Sequence, residues 1–99
     1  MEIGIEQAVE VLNALASEVR LAIVHMLVEC DGLYCSDIVN RLNLSQPAIS
    51  HHLKELRRSK VIVYRKEGSL VFYEVNREYL LKVLKYLSDL ISCEEKVVA

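Results

Sequence analysis

The stretch from Ser45 to Arg58 combines an apolar stripe with an opposite face of short polar side chains. At helical spacing, that polar face carries Gln46, Pro47, Ser50, His51 and Lys54. Glutamine can pair bidentately with adenine, and serine can reach base edges or phosphate. This face has no acidic side chain that would repel phosphate. The pattern therefore predicts a helix whose outer face reads base edges in the major groove of double-stranded DNA.

The basic residues of the chain are concentrated around that helix. The 99 residues carry a net charge of −2, but the segment from Ser45 to Ser69 holds six basic and two acidic residues, a local charge of +4. A basic stripe on an otherwise acidic chain is typical of proteins that contact phosphate. Lys54, Arg57, Arg65 and Lys66 are expected mainly on phosphate, and the predicted interface also includes Ser45, Arg58 and Ser69.

Hydrophobic periodicity divides the chain into helices and a hairpin. A helical period predicts helices at 5–16, 18–30, 37–43, 45–58 and 77–95, with Ser17, Ser36, Ser45 and Asn76 as N-caps. The period becomes two at Val61–Arg65 and Leu70–Val75, which Gly68 joins as a β-hairpin. The expected fold is mainly α with a small β-hairpin (α+β), in the order α-α-α-α-β-β-α, as one domain over 1–99.

A short helix, a tight turn and a second helix at about 36–58 form a helix-turn-helix, and the hairpin at about 61–75 follows as a wing. The blocks "LNALASEVRLAIVHMLV", "SDIVNRLNLSQPAISHHLKELRRSKVI" and "YRKEGSLVFYEV" resemble those of the ArsR/SmtB family of winged-helix repressors. We interpret the chain as a homodimeric, sequence-specific transcriptional regulator of the repressor type. The alternative is a winged-helix module that binds protein and not DNA.

Both terminal helices carry apolar stripes longer than one small domain can cover. The stripes are Ile5, Ala8, Val9, Leu12, Leu15 and Ala16 at one end, and Leu80, Val83, Leu84, Leu87, Leu90 and Ile91 at the other. Left exposed, they would form a larger patch than soluble monomers normally tolerate. We expect the first and last helices to pair with their symmetry mates, which would present two recognition helices to a two-fold operator.

The resemblance also raises the question of metal sensing, because family members commonly release DNA on binding a metal ion. One family site is a Cys-x-Cys before the third helix, where this chain has "LYCSDI" with Tyr34 and Ser36 at the ligand positions. A second family site uses Asp, His and Glu of the last helix, which here has no histidine. No metal site and no cofactor are therefore expected.

Cys30, Cys35 and Cys93 allow three interpretations. They can be small buried hydrophobes, which suits Cys30 best because it is in line with the apolar residues of its helix. Two of them can form a pair that responds to oxidation. A site of three thiolates for a soft ion such as arsenite is the remaining possibility, since ligand positions vary within the family.

Other function classes find little support. No Ser/His/Asp arrangement, P-loop or glycine-rich phosphate loop indicates an enzyme. No run of about 18 uncharged apolar residues indicates a membrane span, and the acidic N-terminus does not resemble a signal peptide, so a cytoplasmic location is expected. His25 and the three aromatic residues Tyr64, Phe72 and Tyr73 are expected in the core, with His52 at its edge.

Overall fold

The computed structural model describes residues 2–92. Its helices are α1 (Ile5–Leu15), α2 (Glu18–Glu29), α3 (Cys35–Arg41), α4 (Gln46–Arg58) and α5 (Arg77–Ile91). Its strands are β1 (Leu33–Tyr34), β2 (Ile62–Glu67) and β3 (Leu70–Val75). The expected fold class, mainly α with a small antiparallel hairpin after a helix-turn-helix, is confirmed.

The sheet has three strands in the order β1-β3-β2, because a short strand that the sequence did not predict joins the hairpin. Leu33 pairs with Tyr73, and Tyr34 with Phe72. A strand of two residues is too short for an alternating pattern, so only its partner across the fold reveals it. The hairpin itself continues through Glu67, which leaves a shorter turn than expected.

Three of the four predicted N-caps are confirmed. The side chains of Ser17, Ser45 and Asn76 each accept a hydrogen bond from the backbone N–H three residues later. The prediction for Ser36 is wrong, since α3 begins at Cys35 with Tyr34 as its N-cap residue and no side-chain cap. Pairing of Tyr34 in the sheet keeps its backbone extended, and the change to helical geometry follows directly after it.

The second helix is less buried than its apolar sequence suggested. Only Ile23 and Leu27 are buried, because α1, α4 and β3 all pack against the side of α2 that carries them. The His25 side chain is 70% exposed and lies 3.2 Å from Glu29, and Cys30 is exposed at the helix end. The expectations of a core histidine and a core thiol at these positions are therefore wrong.

Within residues 2–92 no single helix is long and apolar enough to cross a membrane. Only α1 and α2 together are long and apolar enough to do so, and the chain bends by 95° between them.

Gly32 allows α2 to end directly beneath the sheet. Its N–H donates to the Leu27 carbonyl, and its φ of +106° is one that side chains rarely adopt. A Cβ atom at this position would lie 2.4 Å from the Phe72 ring. Gly68 in the hairpin turn has a φ of +65°, but a Cβ there would meet no atom within 4 Å.

Gly32→Ala is expected to destabilise the protein more than Gly68→Ala. The change at Gly68 costs only the left-handed backbone, about 1–2 kcal/mol. The change at Gly32 has a comparable backbone cost, and in addition the new Cβ atom would push the Phe72 ring out of place. Urea unfolding at one protein concentration would compare the two variants, and equal losses in the free energy of unfolding would contradict the close packing at Gly32.

A hydrogen bond between Arg20 and His52 joins α2 to α4. Arg20 Nε donates to His52 Nδ1 at 3.2 Å, which requires that nitrogen to be unprotonated. Burial lowers the pKa of His52, and the neighbouring positive charge of Arg20 lowers it further. His52 is half-buried, so its expected place at the edge of the core agrees with the structure.

The His52 contact predicts a pH-dependent part of the stability. Since the pKa of His52 is lower in the folded state, its contribution is present above the unfolded value of about 6.5 and is lost as the pH falls through the folded value. His52→Gln keeps an acceptor that does not titrate, so it should lose less stability than the wild type between pH 7 and pH 5. Thermal unfolding across this range measures the difference. Identical pH profiles for the wild type and His52→Gln would refute the assignment.

Candidate nucleic-acid interface

Three buried residues hold α4 in place and determine which of its faces is exposed. Ile49, Leu53 and Leu56 are at most 2% exposed, as the sequence pattern predicts. Pro47 lies in the first turn, where its missing N–H costs no helical hydrogen bond. The side chains on the opposite face are all exposed, and they are Gln46, Pro47, Ser50, His51 and Lys54. The arrangement presents a polar, non-acidic ridge to solvent.

The basic residues at the end of α4 differ in how far they are engaged. The Arg57 guanidinium lies 4.0 Å from the centre of the Tyr64 ring, so Tyr64 supports an arginine at the surface and does not pack in the sheet core as expected. Arg58 Nη1 lies 3.2 Å from Glu55 Oε2. Lys54 is exposed beside the groove of about 860 Å³ that α4 forms with β2. Arg57 and Lys54 are therefore placed to meet an anionic strand along this groove.

Strand alternation places Arg65 and Lys66 on opposite faces of the wing. Lys66 shares its face with Tyr64 and the buried Ile62, which is the side toward α4. Arg65 lies on the other face, next to Phe72. The sequence placed both cations at the DNA, and the structure does not bring them to one surface.

Arg65 is held by two carboxylates on the outer face of the sheet. Its Nε donates to Glu67 at 2.8 Å, its Nη1 donates to Glu74 at 2.8 Å, and its guanidinium lies 4.5 Å from the Phe72 ring centre. The Tyr34 hydroxyl donates to Glu67 at 2.6 Å. The pKa of Glu67 is lowered because Tyr34 and then Arg65 donate to its carboxylate. The positive charge of Arg65 is thus largely balanced within the protein.

Sequence reasoning missed Tyr34, Glu67 and Glu74 as parts of this surface. The period of two along the hairpin could have placed Arg65 and Glu67 on one face. Only the pairing of β1 with β3 could have placed Tyr34 there.

Ser69 lies in the turn at the wing tip. It is exposed, and with Gln46 it lines a hollow of about 370 Å³ beside the start of α3. The two ends of the predicted interface, the start of α4 and the wing tip, are thereby close neighbours.

The cysteines and possible metal ligands form no site in residues 2–92. Cys30 is an exposed free thiol, whereas Cys35 is half-buried and burial raises its pKa, which disfavours the reactive thiolate. Cys93 lies outside the described residues, so a thiol pair that includes it remains a prediction. Over the described part of the chain, no three His, Cys, Asp or Glu side chains are grouped to hold a metal ion.

Comparison with known proteins agrees with this arrangement. Residues 15–65 match the family described as a helix-turn-helix domain. The arsenical resistance operon repressor of Escherichia coli is 34% identical over 90 residues, which cover 91% of this chain and 77% of that protein. The transcriptional activator HlyU of Vibrio cholerae is 38% identical over 90 residues, which cover 91% of this chain and 82% of that protein.

Solved structures show the same fold. The structure of HlyU from Vibrio cholerae aligns with a TM-score of 0.71 at 38% identity, covering 94% of this chain and 99% of that one. An ArsR-like regulator from Rhodococcus has a TM-score of 0.83 at 24% identity, with 92% of this chain and 85% of that one covered, and at this identity the likeness concerns the fold alone. Proteins of this kind are transcriptional regulators that bind double-stranded DNA, not enzymes. The exposed polar face of α4, the wing beside it and these relatives together show that the chain belongs to the ArsR/SmtB family of winged helix-turn-helix transcriptional regulators.

Proposed function

We propose that the protein is a homodimeric repressor that recognises a specific two-fold DNA operator through α4. The observation that carries the proposal is the exposed face of α4, where Gln46, Ser50 and His51 stand clear of the core without an acidic neighbour on that face. These side chains would enter the major groove and read base edges. One of the relatives is named a repressor and another an activator. We favour repression, because a compact winged domain needs only to stay bound to its operator in order to obstruct polymerase.

Phosphate contacts would come from both sides of the groove between α4 and the wing. Lys54 and Arg57 line it on α4, and Lys66 projects to the same side from β2. Ser45 and Ser69 border this surface at the start of α4 and at the wing tip, and both are exposed. Such contacts supply affinity and register, while the base contacts of α4 supply sequence information.

The terminal helices support the proposed dimer. Their buried residues, such as Val11 and Val83, face the body of the protein, and a second apolar face of each helix remains exposed. The exposed apolar residues of the two helices are Ile5, Val9, Leu12, Leu81, Leu84, Leu90 and Ile91. Each leucine that a partner buries fully adds about 1.5–3 kcal/mol, so a few from each chain outweigh the cost of association.

A second chain placed against these helices would complete the DNA-binding unit. In the proposed dimer, a two-fold axis beside α1 and α5 would place the two copies of α4 on one side, and recognition of successive major grooves requires that they lie about 34 Å apart. The dimer and its two-fold operator are therefore one proposal, and loss of pairing should also weaken DNA binding.

Substitutions of base-reading residues and of phosphate-binding residues should have different effects on DNA binding. Operators selected from a random duplex pool would be titrated by fluorescence anisotropy at several salt concentrations. Gln46→Ala should cost about 1–3 kcal/mol of binding free energy and relax the base preference at one operator position. Lys54→Gln should weaken binding to all DNA sequences equally, and it should reduce by about one the slope of log affinity against log salt concentration, called the salt slope below. Unchanged preference in Gln46→Ala would show that α4 is oriented differently, and absence of binding even at low salt would favour the protein-binding alternative.

Charges placed in the exposed face of α5 should separate the dimer. Leu81 and Leu84 are 64% and 59% exposed, so a double change to glutamate removes little packing within one chain and places four acidic groups at the proposed interface. Sedimentation velocity at micromolar concentration should show a folded monomer that binds DNA poorly. Leu21→Glu, on α2 at 53% exposure, is the matched control and should remain a dimer. A folded wild-type monomer under these conditions would rule out the proposed pairing.

A further inference from the structure

One cross-strand row on the outer face of the sheet ties the wing to the start of the helix-turn-helix. Tyr34 of β1, Phe72 of β3 and Arg65 of β2 occupy the same register position on three adjacent strands. The Tyr34 ring packs edge-on against Phe72 with 5.0 Å between ring centres, and Arg65 covers the same ring at 4.5 Å. The row therefore spans the full width of the sheet.

Glu67 closes this row into a ring of contacts. One of its carboxylate oxygens accepts from the Tyr34 hydroxyl at 2.6 Å, and the other accepts from Arg65 Nε at 2.8 Å. Glu67 is the last residue of β2, directly before the wing turn. A contact at this point limits the motion of the tip, because the remaining turn is only two residues long.

We propose that Tyr34 and Glu67 are positioning residues of the wing, and that Arg65 is their internal counter-ion and not a phosphate ligand. This rests on the proposed function, since it concerns how the wing is presented to DNA. The hydrogen bond from Tyr34 ties the end of β2 to β1 across the outer face of β3 in the free protein, so less conformational entropy is lost when the wing docks. Lys66, on the opposite face, then supplies the charge of the wing.

The geometry favours this role over direct phosphate binding by Arg65. Glu67 and Glu74 each accept from the guanidinium at 2.8 Å, so a phosphate at Arg65 would have to compete with two carboxylates for a cation that they already neutralise in part. It would also meet two carboxylates on the same face of the sheet. Lys66 is exposed and faces the α4 side, where the other predicted phosphate ligands lie.

The first test removes only the hydroxyl of Tyr34. Tyr34→Phe keeps the ring contact with Phe72, so the far-UV circular dichroism spectrum should not change. Amide hydrogen exchange at residues 66–69 of the free protein should become faster, and DNA affinity should fall about two- to fivefold per wing, as expected for loss of one exposed charge-assisted hydrogen bond. The salt slope should stay at the wild-type value, because no cation is removed. Tyr86→Phe on α5 is the control for loss of a tyrosine hydroxyl.

A double-mutant cycle tests whether Tyr34 acts through Glu67. In a Glu67→Ala background, Tyr34→Phe should no longer change exchange at residues 66–69 or DNA affinity. An equal effect of Tyr34→Phe in both backgrounds would overturn the proposal.

The salt dependence of two charge variants tests the role of Arg65. Lys66→Gln should lower the salt slope by about one for each wing, whereas Arg65→Gln should leave the slope unchanged while it weakens binding. Equal reductions of the slope would show that Arg65 binds phosphate and would overturn the assignment. If the wild type bound no DNA, the proposed function would fail, yet the exchange measurements on the free protein would still decide whether Tyr34 positions the wing.

Discussion

Burial of the inner stripe of α4 is the interaction on which the DNA-facing surface depends. Ile49, Leu53 and Leu56 are locked on successive turns among residues of the other elements, and each contributes about 1.5–3 kcal/mol. A helix held at three such positions cannot rotate about its axis without exposing them. The orientation of the polar face is therefore a consequence of core packing, although none of its own side chains contributes to that packing.

The end of the same helix determines where the wing begins. Lys60 adopts a φ of +70°, the Lys60 N–H donates to Arg57, and the Val61 N–H donates to Leu56. This pair of hydrogen bonds is a Schellman motif, which ends a helix and turns the chain sharply. Buried Val61 and Ile62 then anchor the start of β2. Helix and wing are thus joined without a flexible linker, and the groove between them has a defined width.

The sheet separates charges that are adjacent in the sequence. Because neighbouring residues of a strand point to opposite faces, Arg65 joins the carboxylates of Glu67 and Glu74 while Lys66 faces the α4 side. One face of the wing is internally neutralised, and the other carries Lys66, for which residues 2–92 provide no ion-pair partner. A count of basic residues overstates the charge available to DNA, since part of it is already paired.

The sequence by itself determined the properties that arise within a few residues. Helical and strand periods, the N-caps Ser17, Ser45 and Asn76, and the inner and outer faces of α4 depend on spacings of at most four positions, and all agree with the structure. The resemblance of its motifs to the ArsR/SmtB family was likewise visible in the chain, and it is confirmed.

Only the tertiary structure decided the properties that depend on distant residues. It exposed His25 and Cys30, because a nearly uniform apolar helix does not reveal which of its sides other elements will cover. It created β1 by pairing with β3, and it joined Tyr34 to Glu67 across 33 positions of the chain. The physical reason is the same in each case. Local sequence determines which backbone conformations are favourable, whereas the burial of a side chain and its contacts depend on which distant segments the fold packs against it.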